Sequence, residues 1–333
     1  MNVRKIVIAG AAALTACGVL GMAPAAAQRS LASDPVWTQQ HPPVHPRGHG
    51  DPSMAYDAAT GTAVLFGGYS RGIPLLGETW TWNGTTWTKQ HPAAHPSARY
   101  DAAMAYDAAT GTVVLFGGED SHRLFGDTWT WNGTTWTRQD PAAHPSARAG
   151  AAMAYDAATG TVVLFGGVGP RGGDFSDTWT WDGTTWTKQH PASHPSARDS
   201  TSMAYDAATG TAVLFGGFKS GGHIYSDTWT WDGTTWSRQA PATSPPARYG
   251  ASMAYDAATG TAVLFDGIDS DFSYLGDTWT WNGTTWTQQA SSPYRGYGAG
   301  MAYDAATGTV VLFGGESNRS GHYFLPVSTW TWG

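Results

Sequence analysis

The sequence predicts an all-β fold, a six-bladed β-propeller with four antiparallel strands in each blade. The element Met-Ala-Tyr-Asp-Ala-Ala-Thr-Gly-Thr occurs six times, and its spacing of 48 to 50 residues is expected for propeller blades. The 43 glycines and 18 tryptophans among 333 residues are typical of short strands joined by tight turns. The six copies begin at Met54, Met104, Met153, Met203, Met253 and Met301.

Each repeat divides into four strands, a to d, separated by turn residues. In the second repeat we predict these strands at residues 102–106, 112–116, 127–131 and 134–138. Asn132-Gly133 is a strong hairpin signal between strands c and d, because both residues tolerate positive φ. Small residues dominate strand a and tryptophans dominate strands c and d, which predicts strand a near the crowded axis and the tryptophans in the core between blades.

The two ends of the sequence complete the sixth blade. The last repeat ends after strand c, at Trp330 to Gly333, and residues 36–42 match strand d of the first repeat. We therefore expect the N-terminal strand to close the ring, which avoids an unpaired sheet edge. The predicted propeller spans residues 36–333, with strand d of blade six at 36–42 and blades at about 47–92, 99–141, 148–191, 198–241, 248–290 and 295–333.

Three features of the repeat resemble the kelch family, including secreted bacterial kelch proteins and the central domain of galactose oxidase. They are the arginine before strand a (Arg99), the Gly-Gly pair after strand b (Gly117-Gly118) and the spaced aromatic residues Trp131 and Trp136. The resemblance covers residues 36–333 and implies that strand a lines the central channel and strand d lies outermost. Asp266 departs from the pattern, since it replaces the first glycine of the pair in blade five.

The N-terminal 27 residues have the layout of a secretory signal peptide, followed by a short leader at 28–35. Arg4 and Lys5 precede an apolar run, and alanines at 25–27 offer a cleavage site. We expect a secreted protein, extracellular or periplasmic, without a membrane span. Leu14 to Cys17 also resembles a lipobox, so lipidation at Cys17 is the alternative.

Charge and cysteine content exclude several functions. The formal charge of −7 includes no basic run, so no nucleic-acid partner is expected. Cys17 is the only cysteine, so the mature domain has no disulfide and no thiolate ligand. The copper cofactor of kelch oxidases needs a cysteine cross-linked to tyrosine, and we predict no cofactor and no metal here.

The d–a and b–c connections are predicted to share one face, and the b–c loops vary between repeats. Binding residues commonly lie on loops held by a rigid scaffold. An arginine precedes strand a in every blade, which predicts a ring at the channel mouth; the resemblance to kelch domains that bind acidic peptides implies carboxylate recognition. The alternative is that each guanidinium bonds carbonyls of its own blade. These arginines are Arg47, Arg99, Arg148, Arg198, Arg248 and Arg295.

Aromatic residues of the variable loops form a second set of candidates for ligand binding. Together with tyrosines before strand a, such as Tyr249 and Tyr297, they are expected either to bind a sugar or peptide, or to pad neighbouring loops. The loop aromatics are Tyr69, Phe125, Phe175, Tyr225, Tyr274 and Tyr323.

Three functional hypotheses follow. The leading one is a secreted, non-enzymatic binding or scaffold protein that recognises a glycan or protein segment on the d–a/b–c face. A carbohydrate-active enzyme is the second, and a structural cell-envelope protein is the third; the sequence does not fix the oligomeric state. The enzyme would use loop carboxylates from the set Glu119, Asp120, Asp174, Asp269, Asp271 and Glu316.

Overall fold

A computed structural model describes residues 34–70, 74–289, 294–319 and 322–333, with backbone alone at 319, 322 and 323. The predicted signal peptide, Cys17 and most of the predicted leader lie outside these residues. None of the described residues belongs to a helix long and apolar enough to cross a membrane.

The six-bladed propeller is confirmed: each blade is a sheet in the order a-b-c-d, antiparallel throughout. Strands a are Ser53–Asp57, Ala103–Asp107, Ala152–Asp156, Ser202–Asp206, Ser252–Asp256 and Gly296–Asp304. Strands b are Thr62–Phe66, Thr112–Phe116, Thr161–Phe165, Thr211–Phe215, Thr261–Phe265 and Thr309–Arg319. Strands c are Thr79–Trp82, Thr128–Trp131, Thr178–Trp181, Thr228–Trp231, Thr278–Trp281 and Thr329–Trp332. Strands d are Trp87–Gln90, Trp136–Gln139, Trp186–Gln189, Trp236–Gln239, Trp286–Gln288 and, for blade six, Trp37–Gln40.

The N-terminal strand closes the ring as predicted. Trp37 pairs with Trp332 and Gln40 pairs with Thr329, so the first strand of the chain is strand d of the last blade. The two ends of the propeller are thereby held in one sheet.

The core lies between the blades. Each apolar cluster combines strands of two neighbouring blades; Val64 and Phe66 of blade one, for example, pack with Leu115, Trp131 and Trp136 of blade two. The strand d tryptophan of every blade also donates its indole N–H to the first threonine of strand c in the preceding blade, at 2.8 or 2.9 Å. Hydrophobic burial and one repeated hydrogen bond thus fix the angle between neighbouring blades.

Strand boundaries differ slightly from prediction because side chains cap the turns. Strand d of blade two begins at Trp136 rather than residue 134, since the Asn132 side chain accepts the N–H groups of Thr134 and Thr135. Strand c begins at Thr128, and the side chain of the preceding Asp127 accepts a hydrogen bond from Arg99.

The a–b and c–d turns occupy the face opposite the variable loops and pack against each other. Gly133 in the c–d turn of blade two lies so close to Thr60 in the a–b turn of blade one that a Cβ at position 133 would stand 2.5 Å from the threonine methyl. Gly133 also has a φ of +94°. These packing demands account for the near-identity of the turns and leave variation to the other face.

Blade six departs from the repeat. Its strands a and b are the longest, and strand b continues into a hairpin with His322–Phe324. The extension carries Glu316 over the variable face, towards the axis.

Candidate functional site

A ring of backbone hydrogen bonds surrounds the channel on the variable face. Each blade contributes one residue to the ring, the one three positions before the methionine of strand a. At five of the six junctions between blades, the N–H of this residue donates to the carbonyl of the equivalent residue in the preceding blade, at 2.7 to 3.2 Å. All six residues have positive φ, which favours glycine. They are Asp51, Asp101, Gly150, Ser200, Gly250 and Gly298.

A cavity of about 170 Å³ opens inside this ring and is lined by all six blades. Most of its lining is small side chains and backbone, but Asp51, Asp101, Tyr249 and Tyr297 present functional groups to it. The two aspartates hold left-handed backbone conformations that a side chain makes costly, and such strain is typical of functional sites.

The carboxyl groups in the cavity are surrounded by other carboxyl groups. Burial raises the pKa of Asp51 well above its usual range, and Asp101, Glu316, Asp266 and Glu119 raise it further. Burial, followed by the charges of Glu119 and Asp199, raises the pKa of Asp101 to about 7. No cation is among the groups that shift either pKa. The mouth is therefore an acidic site.

Tyrosines hold Glu316 at the rim. Tyr69 of blade one and Tyr274 of blade five each donate a hydroxyl hydrogen bond to Glu316 of blade six, at 2.6 and 2.9 Å. The Tyr274 ring stacks on Tyr297, with centroids 5.5 Å apart and planes at 19°. Tyr69 meets Tyr100 edge-on at 5.6 Å. These contacts build one wall of the mouth from blades one, two, five and six.

Asp199 and Asp174 form a carboxyl pair on the other side of the mouth. Burial raises the pKa of Asp199 to about 7, Ser200 opposes the rise by hydrogen bonding, and Asp174 adds to it through its charge and a hydrogen bond. Asp174 is held in place by the Ser220 backbone N–H and hydroxyl, at 2.6 and 2.8 Å. Asp199 therefore keeps its proton to near-neutral pH, a form that the neighbouring Asp174 charge favours.

Four of the predicted arginines are internal clamps. In blade three, Arg148 donates from Nε to the Ser146 carbonyl at 3.0 Å, and from Nη1 to the Gly166 carbonyl at 2.8 Å. Its Nη1 and Nη2 also grip Asp177 at 2.6 and 3.1 Å. Burial opposes ionisation of Asp177, but Arg148 outweighs it and the pKa of Asp177 is lowered. The same contacts recur for Arg99, Arg198 and Arg248.

The other two arginines stand outside this pattern. Arg47 and Arg295 are exposed, and the clamp position five residues before the methionine is held by His49 in blade one and Gly296 in blade six. His49 is fully buried, and burial lowers its pKa to about 4, so it is neutral at pH 7. Four of the six arginines therefore bond groups of their own blade, which was the alternative to ligand binding. The expected ring of six equivalent arginines at the channel mouth does not form.

The loop aromatics separate into two groups. Phe125, Phe175 and Tyr225 lie over the guanidiniums of Arg99, Arg148 and Arg198, at 3.8, 4.0 and 3.7 Å from the ring centroids. They cover the clamps, whereas Tyr69 and Tyr274 belong to the mouth. The side chain of Tyr323 lies outside the described residues.

The loop carboxylates also divide. Asp120 and Asp269 accept backbone N–H groups of their own loops, and Asp271 is exposed. Glu119, Asp174 and Glu316 lie at the mouth. Asp174 lies near enough to Asp199 for its charge to raise the Asp199 pKa.

Asp51, Asp101 and Asp199 are functional candidates that the sequence reasoning missed. They occupy the positions three and four residues before the methionine, which differ between blades while the following strand is nearly constant. Variable residues directly before a nearly constant strand could have indicated these positions as functional candidates.

Comparisons with protein-family models and with curated proteins give no match for this chain. Among the described residues, no three His, Cys, Asp or Glu side chains are grouped so as to hold a metal ion. Membership of the kelch family stays a prediction.

Proposed function

We propose that the protein is a non-enzymatic binding module that acts outside the cytoplasm and holds a protein segment or a glycan at the channel mouth. A β-propeller suggests a binding or scaffold role, and propellers serve many functions, so the site must carry the argument. The observation that carries it is the convergence of non-repeated side chains from different blades on one open cavity. The predicted signal peptide supports an exported location.

The chemistry of the mouth favours a neutral or cationic ligand over an acidic one. Four of the six arginines that would attract carboxylates are bonded inside their blades, with Arg99, Arg148 and Arg198 each 1% exposed or less, and none of the six lines the cavity. The groups that face the cavity are carboxyls and phenols, which accept hydrogen bonds from hydroxyl and ammonium groups. An acidic peptide, the ligand class implied by the kelch resemblance, would meet repulsion here.

A glycan is the second candidate ligand, because rings such as Tyr249 and Tyr297 supply stacking surfaces beside carboxyl acceptors. The glycosidase hypothesis is less well supported, since the Asp174 carboxylate accepts hydrogen bonds from Ser220 and Glu316 accepts them from two tyrosines. A purely structural envelope protein predicts a flat variable face, and the cavity argues against it.

The proposal is tested by thermal unfolding of the purified protein with neutral glycans and with acidic, neutral and basic peptides. A ligand at about 100 times its dissociation constant adds about 2.7 kcal/mol to stability. We expect a ligand-induced shift that Tyr249→Ala reduces and that Ala108→Gln, an exposed change on the opposite face, preserves. A shift that persists in Tyr249→Ala would place binding elsewhere, and no shift with any compound would contradict a small-ligand site.

A further inference from the structure

We propose that the channel mouth binds the ammonium group of a lysine side chain presented by a protein partner, held between the carboxylates of Asp51 and Asp101. This inference rests on the proposed binding function and specifies its ligand. Four properties of the site carry it.

The first property is that both carboxylates lack a partner. The Asp174 carboxylate accepts hydrogen bonds from Ser220, and Glu316 accepts them from two tyrosines. Among the described residues Asp51 and Asp101 have no such side-chain hydrogen bond, and both are partly exposed where they line the cavity. Their carboxylate oxygens can therefore accept hydrogen bonds from a ligand that enters the cavity.

The second property is that the local charge has one sign. Asp51 faces Asp101, Glu316, Asp266 and Glu119, together with the hydroxyls of Tyr69 and Tyr297. Asp101 faces Glu119 and Asp199 as well. Without a bound cation, the group relieves its repulsion by holding protons, and a cation entering the cavity relieves it instead.

The third property is size. At about 170 Å³ the cavity is close to the 150 Å³ of an engineered cavity that accepts benzene, so it has room for one side chain. The phenol rings of Tyr249 and Tyr297 line the same space and offer faces to a cation or its alkyl stem.

The fourth property is the direction of the acceptors. Asp51 and Asp101 approach the axis from two successive blades, and Tyr249 and Tyr297 approach from two others. A compact ammonium with three rotatable donors on a four-carbon stem can bond acceptors in several directions at once. The planar fork of a guanidinium suits both oxygens of one carboxylate instead.

The test compares three blocked tripeptides by calorimetric titration: acetyl-Gly-Lys-Gly-amide, the norleucine analogue, which keeps the stem without the charge, and the arginine analogue. We expect the lysine peptide to bind at least about tenfold more tightly than either analogue, since a hydrogen bond to a charged group is worth that ratio or more. Equal binding of the norleucine peptide, equal or tighter binding of the arginine peptide, or no binding of the lysine peptide would each overturn the inference. Glucosamine is a fourth probe, and its binding in preference to the lysine peptide would overturn the assignment of a protein partner.

Asp51→Asn and Asp101→Asn locate the site. Asparagine tolerates the positive φ of both positions (47° and 54°), so each variant keeps the backbone while losing the charge. Each should weaken lysine binding by about tenfold or more. Asp271→Asn, an equal charge change on an exposed loop of the same face, is the matched control and should leave binding unchanged.

The pH dependence adds an independent measurement. Since the ammonium replaces protons on the cavity carboxyls, binding should release protons and strengthen from about pH 5.5 to about pH 8.5. Weaker binding at the higher pH would contradict the inference.

Failure of this inference is distinguishable from failure of the proposed function. A ligand that Tyr249→Ala weakens but Asp51→Asn does not would leave a binding module without a cation site. Lysine binding that neither variant changes would place the ligand away from the mouth and contradict both.

Discussion

Removing one buried clamp should destabilise the propeller far more than removing a surface charge. Arg148→Met keeps a long side chain but deletes the hydrogen bonds to Ser146, Gly166 and Asp177. The Arg148 side chain is 1% exposed and that of Asp177 is 16% exposed, so the interaction belongs with buried pairs. Breaking a buried pair by removing one partner costs about 3–5 kcal/mol, against about 0–1 kcal/mol for a surface pair.

Thermal and urea unfolding of the Arg148→Met protein measure this difference. At roughly 2 °C per kcal/mol for a protein of this size, the expected fall in Tm is about 6–10 °C. Arg238→Met is the matched control, because Arg238 is exposed on strand d of blade four, and it should move Tm by about 1 °C at most. Equal shifts in the two variants would refute the argument that the clamp is a buried ion pair.

A double variant, Arg148→Met with Asp177→Leu, separates the two causes of the loss. Replacing both charges removes the unpaired carboxylate, so part of the stability should return. A double variant less stable than the sum of the single variants would show that the polar contacts themselves, rather than an orphaned charge, hold the blade.

Three further outcomes are expected. Asp266→Gly should raise Tm, more at pH 8 than at pH 5, because Asp266 has a φ of +61° and burial raises its pKa. The folded chain holds the Asp101 proton to about pH 7, whereas the unfolded chain releases it near pH 3.8. Protonated Asp101 therefore contributes stability at low pH, and that contribution is lost as the pH rises through 7. Asp101→Asn should therefore reduce the fall in the free energy of unfolding between about pH 5 and pH 8, by on the order of 2 kcal/mol after allowing for partial exposure. His49→Arg with Glu78→Asp, which installs the clamp of the other blades in blade one, should raise stability by about 1 kcal/mol in denaturant unfolding; a loss would indicate that blade one cannot accommodate the guanidinium.

The repeat made much of the architecture predictable. Strand alternation, the Asn-Gly and Asp-Gly turns and the missing last strand are local features, and each is visible in the order of residues. The identity of blade six's outer strand followed from matching residues 36–42 to strand d, and the Trp37–Trp332 pairing agrees. Burial of the strand d tryptophans of blades one to five also followed, since so many large rings can be buried only between blades.

The functional assignment of the arginines needed the tertiary structure. In sequence, Arg47 and Arg295 look equivalent to Arg148, yet a shift of one or two positions relative to strand a leaves them exposed. The partner of each clamp is an aspartate 28 or 29 residues later, beyond a loop of variable length, and no local pattern joins the two.

The sequence by itself determined the blades, their number and the closure of the ring, because strand periodicity and turn chemistry act over a few residues and repeat six times. Only the tertiary structure decided the composition of the mouth. Glu316 and Tyr69 lie 247 residues apart in the chain and meet because closure places blade six beside blade one. Asp51 and Asp101 line one cavity because the successive blades one and two pack side by side around the axis. Which loop side chains converge is set by how whole blades pack, a property that no single repeat contains.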